Sequence, residues 1–208
     1  MKIGIMGGTF NPIHNGHLII AEQARQEYQL DLVLFIPAGV PPHKQQDSIL
    51  QSSLRCEMIQ CAIESNPNFK LDTREVDSRE ISYTYLTLGS LSKQYPDAKL
   101  YFIMGEDSIY AVSSWRRPKD IFSLATILIA VRNDASNYSR MENQITEIQK
   151  QYSCTLEIIH SPSVMIASSD IRSKVAKHQS IRYLVPDSVA QYIIDHDLYK
   201  MEHVQDEI

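Results

Sequence analysis

Two histidines three residues apart, His14 and His17, lie in the stretch GGTFNPIHNGH that runs from Gly7 to His17. Histidine is the side chain whose charge is decided near neutral pH, and two imidazoles at i and i+3 on a first helical turn lean toward one point. Ahead of them, Gly7 and Gly8 permit close backbone approach and positive φ, so that consecutive N–H groups can face a phosphate. Pro12 stiffens the turn, and a helix starting near Asn15 adds its positive end. Either histidine alone would more often be an ordinary polar group. Two glycines, Thr9 and H-x-G-H at a helix start form a far more specific pattern. Its chemistry is phosphate binding, and the chain shows no convincing nucleophilic triad.

Such a turn works only if something holds it at a sheet edge. Short apolar runs, KIGIM, DLVLFI, FKLDT, KLYFIM, ATILIAV and TLEII, alternate with longer amphipathic stretches, the pattern of a parallel α/β sheet. Helical patterning covers residues 16–28, 53–64, 83–95 and 138–151. Six strands separated by helices predict right-handed crossovers and a doubly wound, Rossmann-like, mostly parallel sheet with helices on both faces. After Ser161 the pattern changes to two helices, about 169–177 and 187–196. Residues 162–208 are therefore expected as a helical C-terminal part docked on the sheet within a single domain, 1–208. In an open sheet of this kind ligands sit beyond the carboxyl ends of the strands, and the opening turn follows the first strand.

With 208 residues, 43% of them apolar, the chain can bury a substantial core. A net charge of −5 argues against nucleic-acid wrapping, which needs clustered cations. No apolar run approaches membrane-spanning length, and Cys56, Cys61 and Cys154 form no CxxC or even framework. A cytoplasmic protein is expected, with no nucleic-acid or membrane partner and homo-oligomerisation left open. A dinucleotide-binding dehydrogenase is disfavoured: the spacing Gly4, Gly7, Gly8 is not G-x-G-x-x-G, and the second strand runs into PAGVPPHK rather than toward a ribose-binding acid.

On these residues the chain resembles the H-x-G-H nucleotidyltransferases, and within them the bacterial nicotinate-nucleotide adenylyltransferases, over nearly its full length. The further matching segments are PPHK (41–44), SYTYLTL (82–88), FIMGEDS (102–108), Trp115, IASSDIR (166–172) and YIIDHDLY (192–199). The resemblance implies adenylyl transfer from ATP to nicotinate mononucleotide, giving deamido-NAD and pyrophosphate. It implies in-line attack with no covalent enzyme intermediate and Mg²⁺ held mainly by the ATP phosphates rather than by a protein metal site. Sister enzymes with other phosphate acceptors share H-x-G-H, and a silent nucleotide-binding regulator is a less attractive alternative.

Residue by residue, the resemblance puts His14 and His17 at the reacting phosphates as the catalytic pair. It puts Gly7, Gly8, Thr9, Phe10, Gly105, Asp107, Ser168, Ser169 and Arg172 against ATP. For nicotinate mononucleotide it implies Trp115 against the pyridine ring, Thr84 at the carboxylate, and His43, Lys44 and Arg132 at the phosphate. Ser168 to Asp170 could equally be an ordinary helix cap, and a lone Trp is more commonly a buried anchor. The chain departs from the family's usual wording at Asn11, Leu86, Glu106 and Ala167.

Overall fold

A computed structural model describes residues 1–39, 49–78, 81–131, 135–162 and 164–200, with the backbone alone over 135–139. Six strands, β1 (Lys2–Gly8), β2 (Leu32–Pro37), β3 (Phe69–Leu71), β4 (Lys99–Gly105), β5 (Ala125–Ala130) and β6 (Leu156–Ile159), form one sheet in the order β3-β2-β1-β4-β5-β6. All five pairings are parallel. The order reverses between β1 and β4, which is the switch point where an open α/β sheet leaves a crevice.

Register locates that crevice. β1 pairs with β4 only as far as Met6 against Ile103, whereas its pairing with β2 continues through Gly7 against Ile36 and Gly8 against Pro37. Gly7 and Gly8 therefore belong to the strand, not to the loop that the sequence suggests. Beyond Met6 the two central strands part, and the backbone of Gly7 borders the gap.

Residues alternate between two buried faces, as a covered parallel sheet requires. Val33 and Phe35 meet one core, which takes in Ala21 and Ala24 of helix α1 (Asn15–Tyr28) and Met58 and Ile59 of α2 (Ser52–Ile63). Ile3, Ile5, Leu34 and Ile36 meet the other. That second core receives Leu88 and Leu91 of α4 (Thr84–Gln94), which follows the short α3 (Arg74–Asp77). It also receives Ile109 of α5 (Glu106–Ile109), Ile121 and Phe122 of α6 (Pro118–Leu124), and Met141, Ile145 and Ile148 of α7 (Ala135–Tyr152). The C-terminal helices α8 (Ser168–Ala176) and α9 (Asp187–Asp195) return to the first core through Ile171, Val189 and Ile193, with α9 packed on α2.

The long helices lie within a few residues of their sequence-predicted ranges. The short ones α3, α5 and α6 are additions, since four to seven residues give too little periodicity to register. α6 does carry a local signal, Pro118 at its first turn after Arg117 in the left-handed region.

Candidate active site

The opening motif is held by contacts from distant parts of the chain. The residue that turns the backbone out of β1 is Phe10, at φ 48, and no glycine among the described residues has positive φ. This corrects the expectation for Gly7 and Gly8. Gly8 serves sterically, because a Cβ there would come within 3.2 Å of the Phe10 ring, which is buried against Phe35. A Cβ on Gly7 would meet only ordinary contact with Phe102, so its bare backbone leaves room for a ligand in the crevice.

Arg55 on α2 is 1% exposed and binds no carboxylate among the described residues. Its guanidinium donates to the carbonyls of Thr9 at 2.7 Å, Ala38 at 2.8 Å and Leu50 at 3.1 Å, tying the motif to the segments after β2 and before α2. Burial pushes its pKa down. From the other side, Arg172 Nη1 donates to the Asn11 carbonyl at 2.9 Å and Ser168 Oγ to the Pro12 carbonyl at 2.8 Å. Tyr199 hydroxyl donates to Asn11 Oδ1 at 2.9 Å, and Asn15 N–H donates to the Leu184 carbonyl. The Asn11–Pro12 peptide is cis.

His14 is the N-cap of α1 and His17 stands three residues in, as the spacing predicts. Their rings stack at 3.7 Å between centroids, 23° from parallel. The backbone N–H of His14 donates to His17 Nδ1 at 3.2 Å, which makes that nitrogen an acceptor and leaves Nε2–H as the donor of the neutral ring. His14 is 7% exposed, its Nδ1 has no partner among the described residues, and burial pushes its pKa down to about 4. The free protein therefore holds His14 as a neutral imidazole at pH 7.

Three cavities converge on this motif. The largest, about 680 Å³, lies on the α4 side and is lined by Gly7, Gly8, Thr9, Thr84, Trp115 and Arg116 among others. A second, about 340 Å³, lies between β1, β4 and α1, with Gly7, His14, His17, Gly105, Trp115 and Ala167 in its wall. The third is a polar nook of about 190 Å³ bounded by Thr9, Phe10, His17, Ser168 and Arg172. Gly7 is common to the first two, His17 to the second and third, and Thr9 to the first and third. The junction of all three is the turn that the sequence singles out.

Other expected positions fall elsewhere. Ser169 is exposed, with its hydroxyl toward Asp170, and lines none of the three cavities. Asp107 is also exposed and outside their walls, whereas its helix neighbours Glu106 and Ser108 line the second cavity. His43, Lys44 and Arg132 lie outside the described residues. Trp115 combines both of its readings: its ring meets Phe102 in a T-shaped contact, centroids 6.2 Å apart and 82° from parallel, and it also lines two cavities. The N-cap of α8 is Ala167, which makes no side-chain cap, so Ser168 is free to reach Pro12 instead. Leu86 is 44% exposed and Glu106 is buried.

Sequence reasoning passed over Arg55 and Glu75. Glu75 lines the large cavity, receives a hydrogen bond from Thr87 Oγ1 at 2.5 Å and bonds Ser82, whose Oγ accepts the Gly39 N–H at 2.9 Å. Burial pushes its carboxyl up. A Cβ on Gly39 would fall 2.1 Å from the Glu75 carbonyl oxygen, so only glycine permits this approach. The one available signal for Glu75 was its place between a strand end and SYT, and isolated charges of that kind are common on surfaces.

Comparison with known proteins agrees with this fold. Residues 5–175 match the cytidylyltransferase-like family. The chain is 38% identical over 198 residues to a protein of Lachnoclostridium phytofermentans named "Probable nicotinate-nucleotide adenylyltransferase", covering 95% of this chain and 98% of that one. A protein of the same name from Caldicellulosiruptor saccharolyticus is 39% identical over 200 residues, 96% of this chain and 100% of that one. The chain belongs to the cytidylyltransferase-like family of nucleotidyltransferases, in its nicotinate-nucleotide adenylyltransferase group. The fold is that of Plasmodium falciparum nicotinic acid mononucleotide adenylyltransferase, with a TM-score of 0.76 at 20% identity over 95% of this chain and 97% of that one. That structure was solved in complex with NaAD.

Proposed function

We propose that this chain transfers the adenylyl group of ATP to nicotinate mononucleotide, yielding deamido-NAD and pyrophosphate, a step of NAD biosynthesis. The observation that carries the reading is the meeting of three cavities at Gly7, Thr9 and His17. A transfer between two nucleotides needs a place for each and a third for the departing phosphates, with the reacting phosphorus where they join. The large cavity takes the acceptor, with its ring at Trp115. The second takes the adenosine of ATP. The polar nook, with Arg172, Ser168 and the start of α8, takes the β and γ phosphates.

An oxygen of the acceptor phosphate forms the new bond to the α-phosphorus of ATP, and the bond from that phosphorus to the bridging oxygen breaks as pyrophosphate leaves. A phosphate monoester has its second pKa near 6, so the nucleophile is already ionised and no base is required. The protein's part is alignment and charge stabilisation. His17 offers its Nε2–H, and the backbone at Gly7 to Phe10 lines the path. Burial keeps His14 neutral, and an adjoining triphosphate favours its protonation.

Mg²⁺ enters with the triphosphate. Among the described residues no three His, Cys, Asp or Glu side chains form a metal-binding group, and phosphate oxygens are the hard ligands that Mg²⁺ prefers. When bound it offsets charge on the leaving pyrophosphate. We place the reaction in the cytoplasm, whose reducing conditions suit Cys56, Cys61 and Cys154 as free thiols; among the described residues no helix is long and apolar enough to cross a membrane.

The test is to incubate the purified protein with Mg²⁺, ATP and either nicotinate or nicotinamide mononucleotide, measuring pyrophosphate and dinucleotide together. Equal amounts of both products are expected. No product with either acceptor overturns the assignment.

A further inference from the structure

Among the residues lining the large cavity, two carry full charges, Glu75 and Arg116. They differ in what already occupies them. The Glu75 carboxylate is engaged by Thr87 and Ser82, both from the α4 region. Arg116 has no acid partner among the described residues. Its guanidinium carbon lies 4.9 Å from the centre of the Tyr83 ring and it also hydrogen-bonds the Tyr83 side chain, contacts that hold the cation in place without an acid to neutralise it. The next residue, Arg117, sits 5.0 Å over the Tyr85 ring and is paired with Asp120 at 2.5 Å. Two arginines that follow Trp115 thus clasp two tyrosines at the start of α4, and only the one facing the cavity keeps its charge available.

The start of α4 and Trp115 point the same way. Thr84 is the first residue of α4, an 11-residue helix whose N-cap, Tyr83, makes no side-chain cap, so the helix offers uncapped N–H groups and its positive end. Trp115, adjacent to Arg116 in the chain, offers a flat face in the same wall. A planar ring seated at Trp115 meets positive potential from Arg116 and α4 at its substituted edge. An ionised carboxylate gains from that potential, and a neutral carboxamide, which differs by one full charge, does not.

We propose that Arg116 is a specificity-determining residue that selects the acid form of the acceptor, its guanidinium facing the ring carboxylate of nicotinate mononucleotide. The proposal rests on the acceptor site assigned in the preceding section and deepens it. A guanidinium carries five N–H donors in a fixed fork suited to a carboxylate, so contact with Tyr83 leaves donors for the ligand. Arg116 is exposed at the mouth, and solvent there moderates its effect.

The experiment measures kcat/KM for nicotinate and for nicotinamide mononucleotide with saturating Mg²⁺ and ATP, in the wild type, Arg116→Gln and Arg116→Lys. The wild type should prefer the acid. Arg116→Gln should lower the acid-to-amide ratio about tenfold, mainly through the acceptor KM, with the KM for ATP and the melting temperature held. Arg116→Lys, which keeps the charge but not the fork, should fall between. An unchanged ratio overturns the proposal, as does a wild type without acid preference. Equal weakening of both acceptors also overturns it, because it would place Arg116 on the ribose phosphate that the two share. A wild type that turns over neither acceptor instead overturns the function itself, so the two failures are distinguishable.

Discussion

Replacing His14 by glutamine should remove a specific pH dependence from folding stability. The imidazole is 7% exposed, and burial lowers its pKa from 6.5 to about 4. In the unfolded chain the same ring titrates near 6.5. Above that pH both states hold it neutral, and the native state keeps its full stability. As the pH falls from 6.5 toward 4, only the unfolded chain takes up the proton, so stability is lost across that window. Below about 4 the native ring is protonated as well, and the loss stops growing. The gap between the two values corresponds to about 3 kcal/mol. Urea unfolding at fixed ionic strength, from pH 7 to pH 4, should show the wild type losing about 3 kcal/mol more than His14→Gln. Carboxylates that titrate in the same range act on both proteins and cancel in the comparison. Parallel stability curves would refute the reasoning, and so would an NMR titration that placed His14 near 6.5. The same burial predicts a coupling to ligand: a triphosphate against the ring favours its protonated form, so ATP binding near pH 6 should take up protons. Calorimetry in buffers of different ionisation enthalpy measures that uptake.

Substitutions at three further positions test the rest of the site. His17→Ala should lower turnover about 10²- to 10³-fold, through lost transition-state electrostatics, with the melting temperature close to wild type; steady-state pyrophosphate release checks it, and an unchanged rate removes His17 from the mechanism. Arg55→Met strands three carbonyls that share one buried guanidinium and should cost at least about 3 kcal/mol in urea unfolding, with Arg55→Lys in between. Trp115→Ala should raise the KM of the acceptor more than that of ATP; a rise in the KM for ATP alone would put the pyridine ring elsewhere.

Much of the architecture was legible in the chain because it depends on local periodicity. Val33 to Ile36 reads as a strand buried on both faces, and the spacing of Met141, Ile145 and Ile148 reads as one stripe of a helix; both sit in the cores accordingly. The H-x-G-H spacing fixed the stacking of two imidazoles on one turn, since positions i and i+3 are neighbours on any helix. Short elements were less visible. α5 has four residues, too few to show a period, so which of its side chains line the cavity was not legible; Glu106 and Ser108 do. The left-handed turn was assigned to glycine because glycine tolerates it most readily, yet Phe10 adopts it, held by the burial of its ring.

The sequence by itself determined the chemistry this protein carries: a pair of glycines after the first apolar run, a helix that begins with two histidines, and a second set of hydroxyls and an arginine far downstream. These follow from residue type and local spacing, which every copy of the chain carries before it folds. Only the tertiary structure decided that Ser168 and Arg172 close on the carbonyls of Pro12 and Asn11, that Arg55 grips the motif from behind, and that Arg116, without an acid partner among the described residues, joins Glu75 in the wall of the large cavity. Contacts between separate elements depend on which sheet face each helix covers and on where β1 and β4 part. That choice is made by burial of the two cores as a whole, and no local stretch of sequence contains it.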